Sequence, residues 1–307
     1  MTWARRIAFF IALNVVVMLT VSLVINLLGV GSFVGPQGLD LASLMVFCLV
    51  WGMGGAFISL LLSKVMAKWA MGVQILDPNT SNGEARQLVN TVHDLARKAG
   101  LSRMPDVGIY NSPEVNAFAT GPTRNNSLVA VSTGLLNSMN SRSVEGVLGH
   151  EVAHIANGDM VTMTLLQGVV NAFVMALARI VAFAIDNALR SDRDSRSGGL
   201  GYFGRSIAIM VLEMLFFIPG SMIIAWFSRQ REFRADAGSS RYAGRDSMIS
   251  ALRDLQRVHG INESPELQQA PAFANFKIAA GRRTGLAHLF SSHPPLEERI
   301  ARLERGY

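Results

Sequence analysis

The chain has 307 residues, of which 50% are hydrophobic and only 16% are charged, whereas soluble domains carry about 25% charged residues. This composition excludes an ordinary soluble protein and a disordered one. The net charge of +6 is compatible with nucleic acid or with an anionic membrane surface, but the apolar composition favours the membrane and no aromatic-basic motif predicts a nucleic-acid partner.

Two apolar segments open the chain. Residues 7–28 are nearly uncharged and long enough for a helix to cross a hydrocarbon core of about 30 Å. The alternative is a cleaved signal peptide, but the segment exceeds the usual h-region of about 7–15 residues and a second apolar segment follows at 41–62. Small residues four apart in the second segment are typical of close helix packing. We therefore predict two transmembrane helices in an anchor of residues 1–64.

Basic residues flank this pair of segments on one side only. Arg5 and Arg6 precede the first segment, Lys64 and Lys68 follow the second, and the connector 29–40 has neither Lys nor Arg. Loops rich in Lys and Arg stay in the cytoplasm. We therefore predict that the chain continues on the cytoplasmic side after the second helix.

A folded region of residues 65–159 follows. Apolar residues recur at helical spacing over 83–99, and Gly100 ends this helix. A second helix begins near Ser143, which can cap it, and continues to Gly158. Three β-like runs separated by turn-rich segments predict a small antiparallel sheet between the helices. These runs are 107–110, 115–119 and 128–131.

Two further apolar segments, 160–189 and 207–227, predict a hydrophobic helical hairpin over 160–227. Polar or helix-breaking residues interrupt both segments, and intramembrane charge normally faces protein or a water-filled cavity. The hairpin either spans the bilayer or enters it only partly, and the charges of the connecting loop do not decide between these topologies. The interrupting residues are Arg179, Asp186, Glu213 and Pro219.

The last region, 228–307, has the character of a soluble domain. It contains an amphipathic helix ended by Gly260 and a charged C-terminal helix. In the loop between the two apolar segments of the hairpin, a G-x-G-x-x-G pattern begins at Gly199. It lacks the strand that a dinucleotide site requires, so we interpret it as a flexible loop.

The strongest chemical motif is the sequence from His150 through Glu151 to His154. Residues four apart lie on one face of a helix, so the two imidazoles can bind one zinc ion while Glu151 reaches the water that zinc activates. Zinc lowers the pKa of that water to about 7, and the carboxylate takes its proton during attack on an amide carbonyl. The alternative is a pair of surface histidines on an ordinary helix.

A catalytic zinc ion takes three protein ligands and leaves one position open. The single cysteine, Cys48, lies in an apolar segment, so the third ligand must be His, Asp or Glu. Glu232 and Asp236 lie four apart on a predicted helix that continues the fourth apolar segment. Glu232 can bind the zinc ion while Asp236 accepts the free ring N–H of a ligand histidine; the alternative is a solvated charge run on a helix end.

The other histidines predict no zinc site by themselves. His93 and His259 lie in helical patterns and are expected to face solvent. His288 belongs to no motif, and His293 precedes a proline pair that opens a helix, which would hold it rigidly near a cleft.

Taken together, these motifs resemble the membrane zinc metallopeptidases of the HtpX type, which are related to the CAAX prenyl endopeptidases. The resemblance covers nearly the whole chain and includes the segments that begin at Asn116 and at Ser292. It implies a mainly helical integral membrane protein with a zincin-like α+β peptidase domain, interrupted by the hydrophobic hairpin. It also implies one zinc ion per chain, bound by His150, His154 and Glu232, with Glu151 as general base.

The same resemblance implies an inner-membrane protease that faces the cytoplasm and degrades damaged membrane proteins under stress. It further implies that an extended substrate adds as a new strand beside 115–119, a mode that binds any sequence through main-chain hydrogen bonds. Asn116, His293 and Arg299 are candidates for holding the substrate or its oxyanion.

Two other functions remain open from the sequence. A membrane scaffold or holdase would keep a purely structural metal site, which has no use for Glu151. A prenyl-protein endopeptidase would need a large enclosed chamber, and two clear spans with a doubtful hairpin are too few to build one.

Overall fold

The structure is a computed structural model that describes Leu19, Leu23, Leu27 and residues 34–35, 38–190, 199–262 and 289–306. The three isolated leucines are helical and exposed. The rest of the predicted first transmembrane helix, 7–28, lies outside the described residues, as does His288. The side chain of His259 also lies outside them.

The described chain is mainly helical, which confirms the predicted fold class at that level. Nine α-helices lie in the described ranges, and a π-helical turn, Ser240–Gly244, joins the seventh to the eighth. The helices are α1 (Leu41–Leu61), α2 (Ser63–Ala70), α3 (Gly83–Lys98), α4 (Thr133–Ser138), α5 (Ser141–Asn157), α6 (Asp159–Arg190), α7 (Gly201–Ser239), α8 (Arg245–Asn262) and α9 (Leu296–Arg305).

Three of these helices, α1, α6 and α7, are long and apolar enough to cross a membrane. Helix α1 has 21 residues, which corresponds to about 30 Å at 1.5 Å per residue. Helix α7 has 39 residues and is therefore about 58 Å long. It exceeds the hydrocarbon core by many residues, so that its polar C-terminal part can belong to a different region of the protein.

Six short strands in the described part of the chain form two sheets. A two-stranded sheet pairs β1 with β2, and a four-stranded sheet has the order β3-β4-β6-β5. The strands are β1 (Val34–Gly35), β2 (Gly38–Leu39), β3 (Gln74–Ile75), β4 (Asp106–Tyr110), β5 (Ala117–Thr123) and β6 (Asn126–Ser132).

The prediction of an antiparallel sheet is wrong for one strand pair. Strands β5 and β6 form an antiparallel hairpin with Ala117 opposite Val131, whereas β4 and β6 are parallel with Asp106 opposite Leu128. The chain reverses between β4 and β5 and again in the hairpin, so β6 runs in the direction of β4. Because β6 inserts between them, β5 lies at the edge of the described sheet.

The four-stranded sheet packs on both faces. One face joins the main core, which also includes residues of α3, α5, α8 and α9. The other face forms a second cluster with Ala67 of α2. Its strand residues are Tyr110, Phe118, Leu128 and Ala130.

The described residues fall into two compact units. One unit contains the described residues of 60–162 and 225–306, with the four-stranded sheet and the polar helices. The other contains the described residues of 19–59 and 163–224, and in it Leu44 and Cys48 of α1 pack against Ala172 of α6. The close approach predicted from small residues occurs here, because a Cβ added to Gly52 would lie 2.6 Å from the backbone nitrogen of Ala172.

Several predicted helix ends are wrong. Asn140, not Ser143, caps α5: its side chain accepts a hydrogen bond from the Ser143 backbone, and Ser143 itself is buried in the first turn. Helix α8 continues through Gly260 to Asn262. The predicted flexible loop at Gly199 ends early, because α7 begins at Gly201; a glycine in a helix costs only about 1 kcal/mol, which neighbouring apolar residues offset.

Candidate metal centre

Helix α5 presents the three residues of the central motif. His150, Glu151 and His154 are all buried in its last two turns. The helix ends at Gly158, whose φ of 72° is left-handed and therefore favours glycine. Helix α6 begins at the next residue, Asp159, whose carboxylate lies 2.7 Å from His154 Nδ1.

Glycines allow α5 to pack unusually close to the polar end of α7 and to α8. A Cβ on Gly146 would lie 2.2 Å from the Ser247 carbonyl oxygen, and one on Gly238 would lie 2.6 Å from the Ala153 Cβ. Gly149 faces Ser239, whose hydroxyl donates to the Gly146 carbonyl at 2.7 Å. A larger side chain at these positions would push the two histidines away from the carboxylates of α7.

Three potential ligand atoms converge in this contact. The Nε2 atoms of His150 and His154 lie 3.0 Å apart. His150 Nε2 lies 3.4 Å from Glu232 Oε2, and His154 Nε2 lies 3.4 Å from Glu232 Oε1. A tetrahedral zinc centre with bonds of about 2.0–2.1 Å has ligand atoms about 3.3–3.4 Å apart, so these separations are close to those that zinc requires. The two Nε2 atoms and the Glu232 carboxylate are called the triangle below.

Two carboxylates orient the histidines from behind. Asp236 Oδ1 lies 2.9 Å from His150 Nδ1, and Asp159 Oδ2 lies 2.7 Å from His154 Nδ1. A carboxylate only accepts hydrogen bonds, so each Nδ1 must donate its proton to it. Each Nε2 is then left with a lone pair that points into the triangle. Two lone pairs and a carboxylate facing each other at this distance favour a cation between them.

Arg299 and His293 complete the surroundings. Arg299 is fully buried and donates two hydrogen bonds to Asp236, from Nη2 at 2.6 Å and from Nε at 2.8 Å. His293 Nδ1 lies 2.9 Å from Glu232 Oε2. A third element thus contributes to the site, because His293 and Arg299 come from the segment that leads into α9 and from α9 itself.

The carboxylates give the site a strong attraction for positive charge. Burial by itself lowers the pKa of His150, but hydrogen bonds and charges from Asp236 and Glu232 overcome this effect and raise the pKa to about 9. The same field that favours a proton on the imidazole favours a metal ion at its ring nitrogen.

Glu151 lies beside the triangle and does not belong to it. Burial raises the pKa of Glu151 above its usual value, and a hydrogen bond with the Ala119 backbone acts in the opposite direction. The Glu151 side chain thus connects the metal-binding helix to strand β5. A carboxylate with a raised pKa is a better proton acceptor near neutral pH.

The structure brings together all four residues of the predicted site. It also places Asp159 and the two sequence candidates Arg299 and His293 around them, and it places three glycines in the helix contact. Sequence reasoning gave Asp159 and these glycines no role. The G-x-x-G spacing of Gly146 and Gly149 before the histidines was the sequence signal for the close helix contact. His93 is only half-buried and hydrogen-bonds the Pro105 carbonyl at 3.2 Å, so the expectation that it simply faces solvent is wrong.

Apolar helices combined with such a centre define the class of membrane metallopeptidases. Residues 82–306 match the family model described as Peptidase family M48, and the chain belongs to this family. The resemblance predicted from the motifs is thereby confirmed, and the protein is a metalloendopeptidase, a hydrolase of peptide bonds.

Similar proteins cover the whole chain. It is 49% identical to the "Protease HtpX" of Thioalkalivibrio sulfidiphilus over 98% of each chain, and 51% identical to that of Xanthomonas campestris pv. campestris over 97% of each chain. It is 48% identical to the "Protease HtpX homolog" of Bacillus licheniformis over 98% of this chain and 99% of the other.

Among solved structures, the crystal structure of S. mikatae Ste24p superposes with a TM-score of 0.59 at 21% identity. The match covers 98% of this chain and 66% of that one. It shows that the two proteins share a fold.

Proposed function

We propose that this protein is a zinc-dependent endopeptidase of the inner membrane that cleaves damaged or misfolded membrane proteins at a cytoplasm-facing site. The observation that carries the proposal is the triangle of His150 Nε2, His154 Nε2 and the Glu232 carboxylate. The two nitrogens lie 3.0 Å apart, and each lies 3.4 Å from a different oxygen of that carboxylate. Two imidazoles and one carboxylate form a ligand set that is usual for catalytic zinc, with one position open for the reaction.

One zinc ion per chain would be held by these three residues. When bound, it supplies Lewis acidity, which polarises the scissile carbonyl and makes water a better nucleophile at neutral pH. Asp236 and Asp159 keep both rings in the tautomer that presents Nε2. Arg299 holds Asp236 in turn, so that the orientation of His150 depends on α9.

Glu151 acts as the general base and then as the general acid. Its carboxylate takes a proton from the attacking water and delivers it to the leaving amine, so the residue ends the cycle as it began. Its burial suits this role, because a carboxylate with a raised pKa accepts the proton more readily. No covalent intermediate is required.

Strand β5 offers a place for the substrate. It is the edge strand of the described sheet, and an extended peptide can add beside it through main-chain hydrogen bonds. Asn116, which immediately precedes β5, is buried, and its Oδ1 atom has no hydrogen-bond partner among the described residues. A substrate amide N–H would supply this missing donor, while His293 and Arg299 lie near enough to the Glu232 side of the triangle to help hold an oxyanion.

The proposed organisation follows the four sequence segments. Residues 1–64 anchor the chain, 65–159 and 228–307 together build the peptidase domain, and 160–227 form the hydrophobic hairpin between its two halves. The basic residues Lys64 and Lys68 directly after α1 support a cytoplasmic location for the peptidase domain. Membrane-protein substrates and the lipid bilayer are the partners of this arrangement.

The test compares detergent-purified wild type with Glu151→Gln, and with Glu145→Gln as a matched control on the same helix. We expect one zinc ion per chain in all three. Cleavage of an unfolded model protein should fall by about 10²–10⁴-fold in Glu151→Gln only. A chelator should abolish wild-type cleavage, and added zinc should restore it.

Two outcomes would contradict the proposal. Zinc in every variant without cleavage by any of them would indicate a structural metal site, as in a scaffold. Absence of zinc from the wild type would refute the ligand set.

A further inference from the structure

The short helix α2 has two unlike faces. Its inner face carries Ala67, which packs in the cluster beneath the sheet, and Lys64, whose ammonium group donates to Asp106 at 2.8 Å and to Asn126 at 2.9 Å. These bonds attach the helix to the first residues of β4 and β6. The outer face consists of Val65, Lys68 and Trp69, all of them exposed, and Leu61 at the end of α1 is exposed as well.

The outer face is too apolar for a surface in water. Val65 and Trp69 lie four residues apart on the same side of α2, and Trp69 is 54% exposed. Leucine, valine and tryptophan together with a lysine are the composition of helices that lie in the plane of a membrane interface. Tryptophan in particular concentrates at the level of the lipid headgroups.

The outer face of α2 follows a membrane helix directly in the chain. Leu61 is the last residue of α1, and α2 begins two residues later at Ser63. The end of a transmembrane helix lies at the bilayer surface, so the next eight residues start there. Lys68 adds a positive charge, which anionic headgroups attract.

We propose that the outer face of α2 lies in the lipid headgroup region and that α2 supports the sheet on the membrane surface. The peptidase domain then stacks in layers from the bilayer: α2 first, then the sheet with edge strand β5, then the metal-binding helix α5. Phe118 of β5 packs in the same cluster as Ala67 of α2, so that β5 lies about one helix diameter, roughly 10 Å, above the headgroups.

This arrangement restricts the substrate class, a consequence that rests on the proposed function. An extended chain advances about 3.3 Å per residue. A peptide bond beside β5 is therefore reached within a few residues of the point where a substrate leaves the bilayer. The segments flanking transmembrane helices become the preferred cleavage region.

The first test measures the depth of Trp69 by fluorescence quenching. The full-length chain carries Glu151→Gln, so that it cannot cleave itself, and Trp3, Trp51 and Trp226 are replaced by Phe. It is placed in vesicles of phosphatidylcholine and phosphatidylglycerol with lipids spin-labelled near the headgroup or near the acyl-chain end. We expect the shallow label to quench Trp69 roughly twofold or more strongly than the deep label, since interfacial helices lie about 5–10 Å deep.

The matched control is the same protein with Trp51 as its only tryptophan. Trp51 lies in the middle of α1, so the deep label should quench it more strongly than the shallow one. Strong quenching of Trp69 by aqueous iodide would overturn the proposal, because the face would then lie in water. Quenching by neither lipid nor iodide would also overturn it, because a protein surface, such as a second copy of the chain, would cover the face.

The second test uses a membrane-anchored substrate with a long unfolded tail. Wild type should cut it mainly within roughly ten residues of the membrane, and Val65→Ser with Trp69→Ser should broaden the cut sites while cleavage of a soluble unfolded protein persists. If the wild type cut the tail evenly along its length, the proposed restriction of cleavage to peptide bonds near the membrane would be overturned. Failure of wild type to cut either substrate would instead refute the proposed function, and the quenching result would stand.

Discussion

Two arginine–carboxylate pairs in this protein differ in what surrounds them. At the metal centre, Arg299 and Asp236 are 0% and 3% exposed and share two hydrogen bonds. In the apolar helices, Arg179 of α6 lies 2.6 Å from Glu213 of α7, with 15% and 34% of their side chains exposed. Arg179 also stacks over the Phe47 ring at 5.4 Å and donates to the Met175 carbonyl.

The buried charges have different roles in the two regions. Asp236 also orients His150, so the Arg299 pair belongs to a network in which every member serves the metal site. Arg179 and Glu213 connect two helices, a task that apolar packing can also perform. A buried ion pair adds little net stability by itself, because desolvation offsets the attraction. We therefore expect the first pair to be irreplaceable and the second to be dispensable.

The largest effect is expected from Arg299→Met. It leaves the Asp236 carboxylate buried without its partner, which costs about 3–5 kcal/mol in the free energy of unfolding. Denaturant unfolding in detergent micelles measures this loss. A second change, Asp236→Leu, should recover part of the stability but should leave zinc affinity at least about tenfold below wild type, because His150 loses its orienting carboxylate. Full recovery of zinc binding would refute the network.

A smaller effect is expected from Gly146→Ala. The added Cβ would lie 2.2 Å from the Ser247 carbonyl oxygen, so α8 must move away from α5 at a cost of about 1–3 kcal/mol. The control is Gly83→Ala at the start of α3, where a Cβ would meet nothing within 4 Å. Equal unfolding midpoints for the two variants would show that the close helix contact is unimportant.

The apolar helices provide the contrasting experiment. Glu213→Leu leaves Arg179 without its carboxylate and should cost about 1–2 kcal/mol. Polar contacts between membrane helices contribute about 0.6 kcal/mol on average and at most about 1.7, and the unpaired guanidinium adds a desolvation cost. Replacing both Arg179 and Glu213 by Leu should return the stability to within about 1 kcal/mol of wild type. Thermal unfolding and cleavage assays check this, and loss of cleavage in the stable double variant would show that the pair also serves the site.

The smallest effect at neutral pH is expected for Tyr110→Phe. Burial raises the pKa of Tyr110 to about 12, whereas the unfolded chain has a tyrosine pKa of about 10. Between these values the folded state keeps a proton that the unfolded state has lost, so stability decreases by up to about 1.4 kcal/mol per pH unit as the pH rises. Tyrosinate absorbance should contain a component with a midpoint near 12 that Tyr110→Phe lacks. An unchanged titration curve would contradict this.

Local sequence patterns were enough to predict much of the fold and the ligand residues at the centre of the site. A helix spaces residues 150 and 154 on one face whatever surrounds it, so the histidine pair could be predicted from spacing alone. Segment length likewise predicted membrane helices, since about 20 apolar residues match the bilayer. The helix from 83 to 99 was predicted within one residue of α3, because a regular apolar pattern ended at a glycine.

The errors occurred where distant parts of the chain meet. The parallel pairing of β4 with β6 depends on which strands become neighbours in the sheet, and the sequence of a single strand does not encode this. Asn140 replaced Ser143 as the helix cap because Ser143 points into the contact with α8, where its hydroxyl lies 2.8 Å from that of Ser250.

The sequence by itself determined the chemistry of the metal ligands, the apolar segments and the membership of family M48. Only the tertiary structure decided that glycines let α7 approach α5 closely enough to bring the Glu232 carboxylate within 3.4 Å of the Nε2 atoms of both histidines. It also decided that Arg299, 63 positions after Asp236, holds that carboxylate. The physical reason is that ligand identity and helical spacing are local properties, whereas the separation of atoms on different helices is set by packing across the whole domain.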